Sequence, residues 1–194
     1  NSSTGVGQVN VTGTDSQWTT GTLIVGNGGE GTLAISAGGT IEAGNTYVGL
    51  GTTSLGHVTV SGSDSLWAID DVHLGSRGQA DLTISDGGCV TNANAYLGMH
   101  EDGTGTVTVT GANSTWVSSG TLRVGQAGDA NMVVSDGATV ESADGFIGYL
   151  AGSTGEATVT GADSLWRTDD LSVGHIGAGS LTISSGGAVD VNEI

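Results

Sequence analysis

Short stretches in which apolar and polar residues alternate recur along the whole chain, between clusters of Gly, Asp, Asn and Ser. Val9-x-Val11, Leu23-x-Val25 and Leu33-x-Ile35 show the pattern near the start of the chain. Alternation with a period of two, bounded by turn-forming residues, is typical of short β-strands that bury one face. The pattern therefore predicts an all-β chain.

The alternating stretches belong to a repeat that occurs four times. Its four tryptophans are spaced 49, 49 and 50 residues apart and end closely related phrases, such as VTVSGSDSLW and VTVTGANSTW. A second phrase, such as LTISDGGCV, lies between successive tryptophans. We place the repeats at residues 1–49, 50–98, 99–148 and 149–194, within a single domain of residues 1–194.

Each repeat consists of two similar units, because an apolar residue followed by Gly closes nearly every half-repeat. The closing glycines are alternately 23 and 26 or 27 residues apart, and each unit contains three alternating stretches. Three short strands in 23–27 residues make one rung of a three-sided β-solenoid, which buries its apolar face only by stacking on its neighbours. We therefore predict a right-handed parallel β-helix of about eight rungs, two to a repeat, without evident caps.

Two other repetitive all-β folds fit the sequence less well. A β-propeller blade needs four strands, whereas the natural unit here is a half-repeat with three. An outer-membrane barrel needs strands of about ten residues with aromatic girdles, and these stretches are about half as long. The solenoid remains the preferred fold.

Stacked rungs place equivalent residues in columns that run along the solenoid. One predicted interior column, the tryptophan column, consists of Trp18, Ile41, Trp67, Val90, Trp116, Val140, Trp166 and Val189. Repeated tryptophans could instead stack on carbohydrate. Their alternation with β-branched residues favours a role in the core, where large and smaller side chains interdigitate.

A column predicted to face outward carries aromatic residues in the shorter units. They are Tyr47, Tyr96 and Phe146, next to Leu50, Met99 and Tyr149. In the same column the longer units contribute Ile24, His73, Arg123 and Ser172. Exposed apolar patches commonly mark contact surfaces, so the first six residues form a candidate lateral contact stripe. Loops that fold over the column are the alternative.

Outward positions of the first strand in each unit carry mostly Thr and Ser, as in Thr59-x-Ser61. The array superficially resembles the Thr-x-Thr face of β-solenoid ice-binding proteins. Asn10, Ala34 and Val133 interrupt it, and Thr and Ser suit exposed strand positions in any sheet. An ordinary exposed sheet face is the preferred interpretation.

Aspartates recur at one turn of the units and are weak candidates for calcium ligands: Asp15, Asp64, Asp86, Asp136 and Asp163. Closely stacked carboxylates repel one another, and Ca²⁺ could bridge them through oxygen ligands. However, no stretch matches an EF-hand loop or the Gly-Gly-x-Gly-x-Asp nonapeptide, and Asp is a common turn former. We predict that the fold needs no cofactor.

The chain carries a formal net charge of −17, with 20 acidic residues, three arginines and no lysine. Binding to nucleic-acid phosphates needs a basic surface, so this charge excludes it, and it disfavours binding to an anionic membrane. No apolar run approaches the length of a membrane-spanning helix. The four histidines show no metal-ligand spacing, and the basic residues that parallel β-helix lyases use are scarce. We therefore predict that the protein is not an enzyme.

The phrases VTVTGANSTWVSSGTLRVG and LTISDGGCV resemble the repeat shared by passengers of type V secretion systems (T5SS, the autotransporters) and PEP-CTERM-associated surface proteins. The resemblance extends over nearly the whole chain through its TVTG, DSxW and closing xVG elements. It implies export from a Gram-negative bacterium and a role at the cell surface or in an extracellular matrix. No catalytic residues attach to this repeat.

We therefore expect a structural segment of an exported protein: a stalk, an adhesin passenger or a subunit of a self-assembling fibre or matrix. Neither end of the sequence contains a capping helix, a charged edge strand or Pro. We accordingly expect head-to-tail self-association or continuation of a longer repeat array. A solenoid that binds a glycan, another cell or ice is the alternative.

Overall fold

The computed structural model describes residues 5–192 as 20 β-strands joined by turns, with no helix in that range. Strands of successive rungs pair in parallel, so the chain winds as a β-solenoid. The all-β parallel β-helix expected from the sequence is thereby confirmed. Residues 5–192 include no helix that is long and apolar enough to cross a membrane.

The first face of the solenoid is an eight-stranded sheet in which every strand has seven residues. With strands numbered along the chain, its members are β1 (Val6–Thr12), β4 (Glu30–Ser36), β7 (Leu55–Ser61), β10 (Gln79–Ser85), β13 (Thr104–Thr110), β15 (Asp129–Ser135), β17 (Thr154–Thr160) and β19 (Ala178–Ser184). Each rung adds one strand to this sheet, so these eight strands delimit seven complete turns.

The second and third faces share one twelve-stranded sheet. The second face contains β2 (Gln17–Thr20), β5 (Thr40–Ala43), β8 (Leu66–Ile69), β11 (Cys89–Asn92) and β20 (Ala188–Val191). The third face contains β3 (Leu23–Val25), β6 (Thr46–Val48), β9 (Asp71–Leu74) and β12 (Asn94–Leu97). In the later rungs β14 (Thr115–Val124), β16 (Thr139–Ile147) and β18 (Leu165–Val173) run through both faces.

The strand register aligns apolar residues of successive rungs in interior columns. One first-face column consists of Val9, Leu33, Val58, Leu82, Val107, Met132, Ala157 and Leu181. The second face aligns Trp18, Ile41, Trp67, Val90, Trp116, Val140, Trp166 and Val189. Three of these tryptophans have no exposed surface, whereas Trp18 in the first rung is only partly buried.

The glycines that close the rungs satisfy two requirements at once. Gly75 has a φ of +67°, in the left-handed region that residues with a Cβ rarely adopt. A Cβ at Gly75 would also overlap the backbone carbonyl of Thr104 in the adjacent rung. The same two constraints apply at Gly148, which lies against Ala178. The pair of an apolar residue and Gly therefore marks the corner at which each rung passes to the next.

Candidate functional site

The densest group of chemically distinctive side chains lies outside the third face. Strand register aligns Ile24, Tyr47, His73, Tyr96, Arg123, Phe146 and Ser172 in one outward column. Leu50, Met99 and Tyr149 each follow a closing glycine beside this column, and their backbone N–H groups donate to carbonyls of the previous rung. The structure thus places the six residues of the candidate lateral contact stripe side by side, all half-buried.

Seven side chains of this region form an aromatic ladder: Tyr47, His73, Tyr96, Arg123, Phe146, Tyr149 and His175. The His73 ring is nearly parallel to those of Tyr47 and Tyr96, with centroids 4.7 and 5.1 Å apart. Tyr149 and His175 stack at 5.1 Å. Adjacent strands lie about 4.8 Å apart, so the rung spacing itself sets the stacking distance.

Arg123 joins the two halves of the aromatic ladder. Its guanidinium carbon lies 5.3 Å from the Tyr96 ring centre and 4.1 Å from that of Tyr149. A cation over an aromatic face is attracted by the ring quadrupole. Arg123 Nη1 also donates a hydrogen bond to Gln126 Oε1 at 3.1 Å. The aromatic ladder is therefore continuous from Tyr47 to His175.

His73 is the most enclosed member of the aromatic ladder. The residue is 7% exposed although it points away from the core. Burial lowers the pKa of His73, while the charge of Asp71 raises it and that of His100 lowers it further. The Nδ1 atom of His73 and the hydroxyl of Ser76 are both buried without a hydrogen-bond partner. The neutral imidazole is accordingly the favoured form at neutral pH.

The geometry of the aromatic ladder limits the chemistry it can perform. Most of its rings stack on a neighbouring ring, whereas Phe146 meets its neighbours edge to face, and stacking on a sugar needs a free aromatic face. Ser172 Oγ and His175 Nδ1 make an exposed contact at 3.5 Å, longer than the separation of about 2.6–3.2 Å that is typical of a nucleophile and its base. The contacts of the aromatic ladder are thus mainly among its own side chains.

The candidate calcium ligands have a conformational role in the turns. Asp15, Asp64, Asp86, Asp136 and Asp163 all have φ between 55° and 66°, in the left-handed region. Asp tolerates this region better than most residues because its short polar side chain bonds locally. The Asp136 carboxylate, for example, accepts a hydrogen bond from the hydroxyl of Thr110 at 2.9 Å.

Asp86 and Asp136 are too far apart to share an ion, whereas two other pairs of these aspartates lie in adjacent rungs. Asp86 lies against Gly111 and Asp136 against Gly161, so a glycine-bearing rung separates the two carboxylates. Two rung spacings are about 9.6 Å, whereas Ca²⁺ binds oxygen at about 2.3–2.6 Å. Within residues 5–192, no group of three or more His, Cys, Asp or Glu side chains could hold a metal ion.

The hydroxyl array on the first face is partly occupied by its own hydrogen bonds. Ser135 Oγ donates to Thr110 Oγ1, and Ser184 Oγ donates to Thr160 Oγ1, each at 2.9 Å between neighbouring rungs. Val133 interrupts the array on β15, as the sequence indicates. Cross-strand bonding of this kind is ordinary for hydroxyl residues on an exposed sheet.

Sequence reasoning missed the polar partners of the tryptophan column. Trp116 Nε1 donates to Asn92 Oδ1 at 2.7 Å, and Trp166 Nε1 donates to Ser142 Oγ at 3.2 Å. Trp67 Nε1 is buried and makes no hydrogen bond. The available signal was a polar residue 24 positions before the tryptophan. It is easily overlooked among the many Ser and Asn residues of the turns.

Comparison of the chain with protein-family models, curated proteins and solved structures finds no match in any of the three. Its function must therefore be inferred from the side chains themselves. Two arrangements distinguish them: uninterrupted apolar columns inside the solenoid and the aromatic ladder outside it.

Proposed function

We propose that the chain is a non-enzymatic structural segment of an exported bacterial surface or extracellular protein. It acts as a rigid spacer or fibre unit, as in a stalk or an adhesin passenger. The observation that carries this proposal is the continuity of the interior columns, which run through every rung. In a stack of this kind each rung contacts only its neighbours, so length follows directly from the number of repeats.

The dimensions suit a spacer. Eight strands of the first face, spaced about 4.8 Å apart, span roughly 35 Å. Each further repeat would add two rungs, or roughly 10 Å. The length of such a solenoid is therefore set, in regular steps, by the number of its repeats.

The surface charge suits the same role. A net charge of −17 without any lysine makes parallel rods repel one another and keeps them dispersed in water. The resemblance of the repeat phrases to those of T5SS passengers and PEP-CTERM-associated proteins supports a location outside the cell.

The end rungs of the described solenoid favour contact with further rungs. Val6 and Val9 are exposed on β1, and Ile183 and Val191 are exposed on β19 and β20. Both end strands of the first face have one unpaired edge within residues 5–192. A further rung, from an adjoining repeat or from a second copy, would pair these edges and cover the apolar groups. Head-to-tail association of solenoids is therefore included in the proposal.

Small-angle X-ray scattering and electron microscopy of the purified chain test this function. We expect a rigid particle roughly 35 Å long and, at high concentration, rods of unchanged width. Ile183→Asp puts a charge on the end rung and should prevent assembly into rods, whereas Thr108→Asp, in the middle of the first face, should not. A flexible particle would refute the spacer. Particles that never assemble into rods would refute self-association alone.

A glycan array separates the spacer from a ligand-binding solenoid. The proposal expects no specific glycan signal from the isolated chain. A reproducible signal that is lost in Tyr149→Ala would instead favour recognition of a glycan by the aromatic ladder.

A further inference from the structure

His73 is a titratable side chain that is buried. Its ring lies between those of Tyr47 on β6 and Tyr96 on β12, with interplanar angles of 9° on both sides. The Nδ1 atom is buried without a partner. A neutral imidazole can keep an acceptor nitrogen there, but an imidazolium has N–H donors on both nitrogens. Protonation would therefore leave a buried donor unpaired and a charge poorly hydrated.

We propose that His73 is an acid-sensitive latch on the third face: the neutral ring closes the stack between Tyr47 and Tyr96, and its protonation loosens that stack. The strands concerned are short, since β6 has three residues and β9 has four. Such strands have few backbone hydrogen bonds of their own. The loosening is therefore expected in β6 and β9 before the rest of the solenoid.

Arg123 carries a permanent positive charge in the same column as His73 and has one polar partner. It occupies the position equivalent to His73 in the next longer rung, and Tyr96 lies between the two residues. The Arg123 guanidinium donates to Gln126, three residues further along the chain. The residue three positions after His73 is Ser76, whose buried hydroxyl makes no hydrogen bond. One nitrogen of the Arg123 guanidinium thus has an acceptor, although its Nε is also buried without a partner, whereas the buried Nδ1 of His73 has no acceptor at all.

The charged groups around His73 have opposing effects. Asp71 on β9 favours the imidazolium, whereas His100, after β12, disfavours it, and burial is the largest effect. Tyr47 and Tyr96 are the groups that cover the two faces of the ring. Beyond Tyr96, Arg123 adds a fixed positive charge. The balance lowers the pKa of His73 below the ordinary value of 6.5.

The direction of the pH effect follows from this lowered pKa. As pH falls, the unfolded chain binds the proton at His73 before the folded chain does. The stabilising contribution of the neutral ring is complete well above pH 6.5 and decreases as pH falls from 6.5 towards the pKa of the folded protein. Below the pKa of the folded protein, His73 is protonated in both the folded and the unfolded chain, so a further fall in pH no longer changes its contribution to stability.

Histidine titration by NMR on the whole chain tests the latch. We expect a His73 midpoint below 6.5 and, as pH falls through it, faster amide exchange in β6 and β9 relative to β14 and β16. Tyr96→Ala uncovers one ring face and should raise the midpoint. Tyr149→Ala, a matched control that removes a ring stacked on Arg123 and His175, should leave it unchanged.

Thermal melting supplies a second measurement that does not depend on those variants. His73→Phe keeps a flat ring in the stack but cannot be protonated. Its melting temperature should fall less than that of the wild-type chain between pH 7.5 and pH 5. A His73 midpoint at or above 6.5, or equal pH dependence in His73→Phe and wild type, would overturn the proposal.

Discussion

At the scale of single residues, the tryptophan column depends on what each indole nitrogen meets. In two of the longer rungs a polar side chain 24 residues earlier accepts the indole hydrogen bond. For Trp67 the equivalent position is Ala43, which is buried and offers no acceptor. A buried donor without a partner costs about 1–3 kcal/mol. One rung of the core is therefore less stable than its neighbours for an identifiable reason.

Ala43→Ser should supply the missing acceptor in the arrangement that Ser142 already provides for Trp166. We expect the free energy of unfolding to rise by about 1 kcal/mol. Ser142→Ala should lower it by about 1–3 kcal/mol because it leaves the Trp166 donor unpaired. Urea unfolding measures both changes. Ala68→Ser, an outward position on β8, is the matched control and should have little effect. A destabilised Ala43→Ser protein would contradict this account.

The inward or outward direction of a residue could be predicted from the sequence, but its side-chain partners could not. Column membership needs only the spacing of repeats, which is why Trp67 could be aligned with Ile41 in advance. The hydrogen-bond and packing partners of a side chain depend on where its individual atoms lie. The bond from Trp116 to Asn92 and the enclosure of His73 both depend on side-chain placement in an adjacent rung. Asp86 likewise adopts a left-handed φ, a backbone conformation that the spacing of the repeats does not specify.

At the scale of elements, the strands are divided differently in some rungs from what the sequence predicts. The sequence predicts three separate stretches per rung, whereas β14, β16 and β18 each combine two of them. Backbone hydrogen bonds stack this corner, between the second and third faces, on that of the neighbouring rung. Gly120 N donates to Ala93 O at 2.8 Å, and Ala93 N donates to Asp70 O. This stacking is present both where the strand is continuous and where it is divided.

Gly75→Ala tests the corner between the third face and the next rung. The substitution places a Cβ in a left-handed conformation, which costs about 1–2 kcal/mol, and its overlap with the Thr104 carbonyl adds to that cost. We expect a clear loss of stability in chemical denaturation. Gly28→Ala is the control, because a Cβ at Gly28 would have no atom within 4 Å. Equal effects of the two substitutions would show that the corner does not restrict the backbone.

At the scale of the whole molecule, rungs with and without tryptophan alternate along the stack. Each large indole is therefore flanked by Ile or Val in the adjoining rungs, and neither two indoles nor two small side chains meet. This alternation explains why the repeat spans two rungs although one rung is the structural unit. It also implies that the solenoid can be shortened only in steps of two rungs.

Deletions test this requirement. Removal of residues 50–98 joins Gly49 to Met99 and stacks the Ile41 rung on the Trp116 rung, so the alternation is preserved. Removal of residues 50–75 joins two shorter rungs, places Ile41 beside Val90 and leaves unfilled space where Trp67 was. Cavities of this kind cost about 3–5 kcal/mol when a large aromatic side chain is lost.

We therefore expect the chain that lacks residues 50–98 to unfold cooperatively and at a higher temperature than the chain that lacks residues 50–75. This order is expected although the first chain retains fewer residues. Circular dichroism and tryptophan fluorescence melts compare the two chains. A melting order that follows chain length alone would show that the two-rung alternation is not needed.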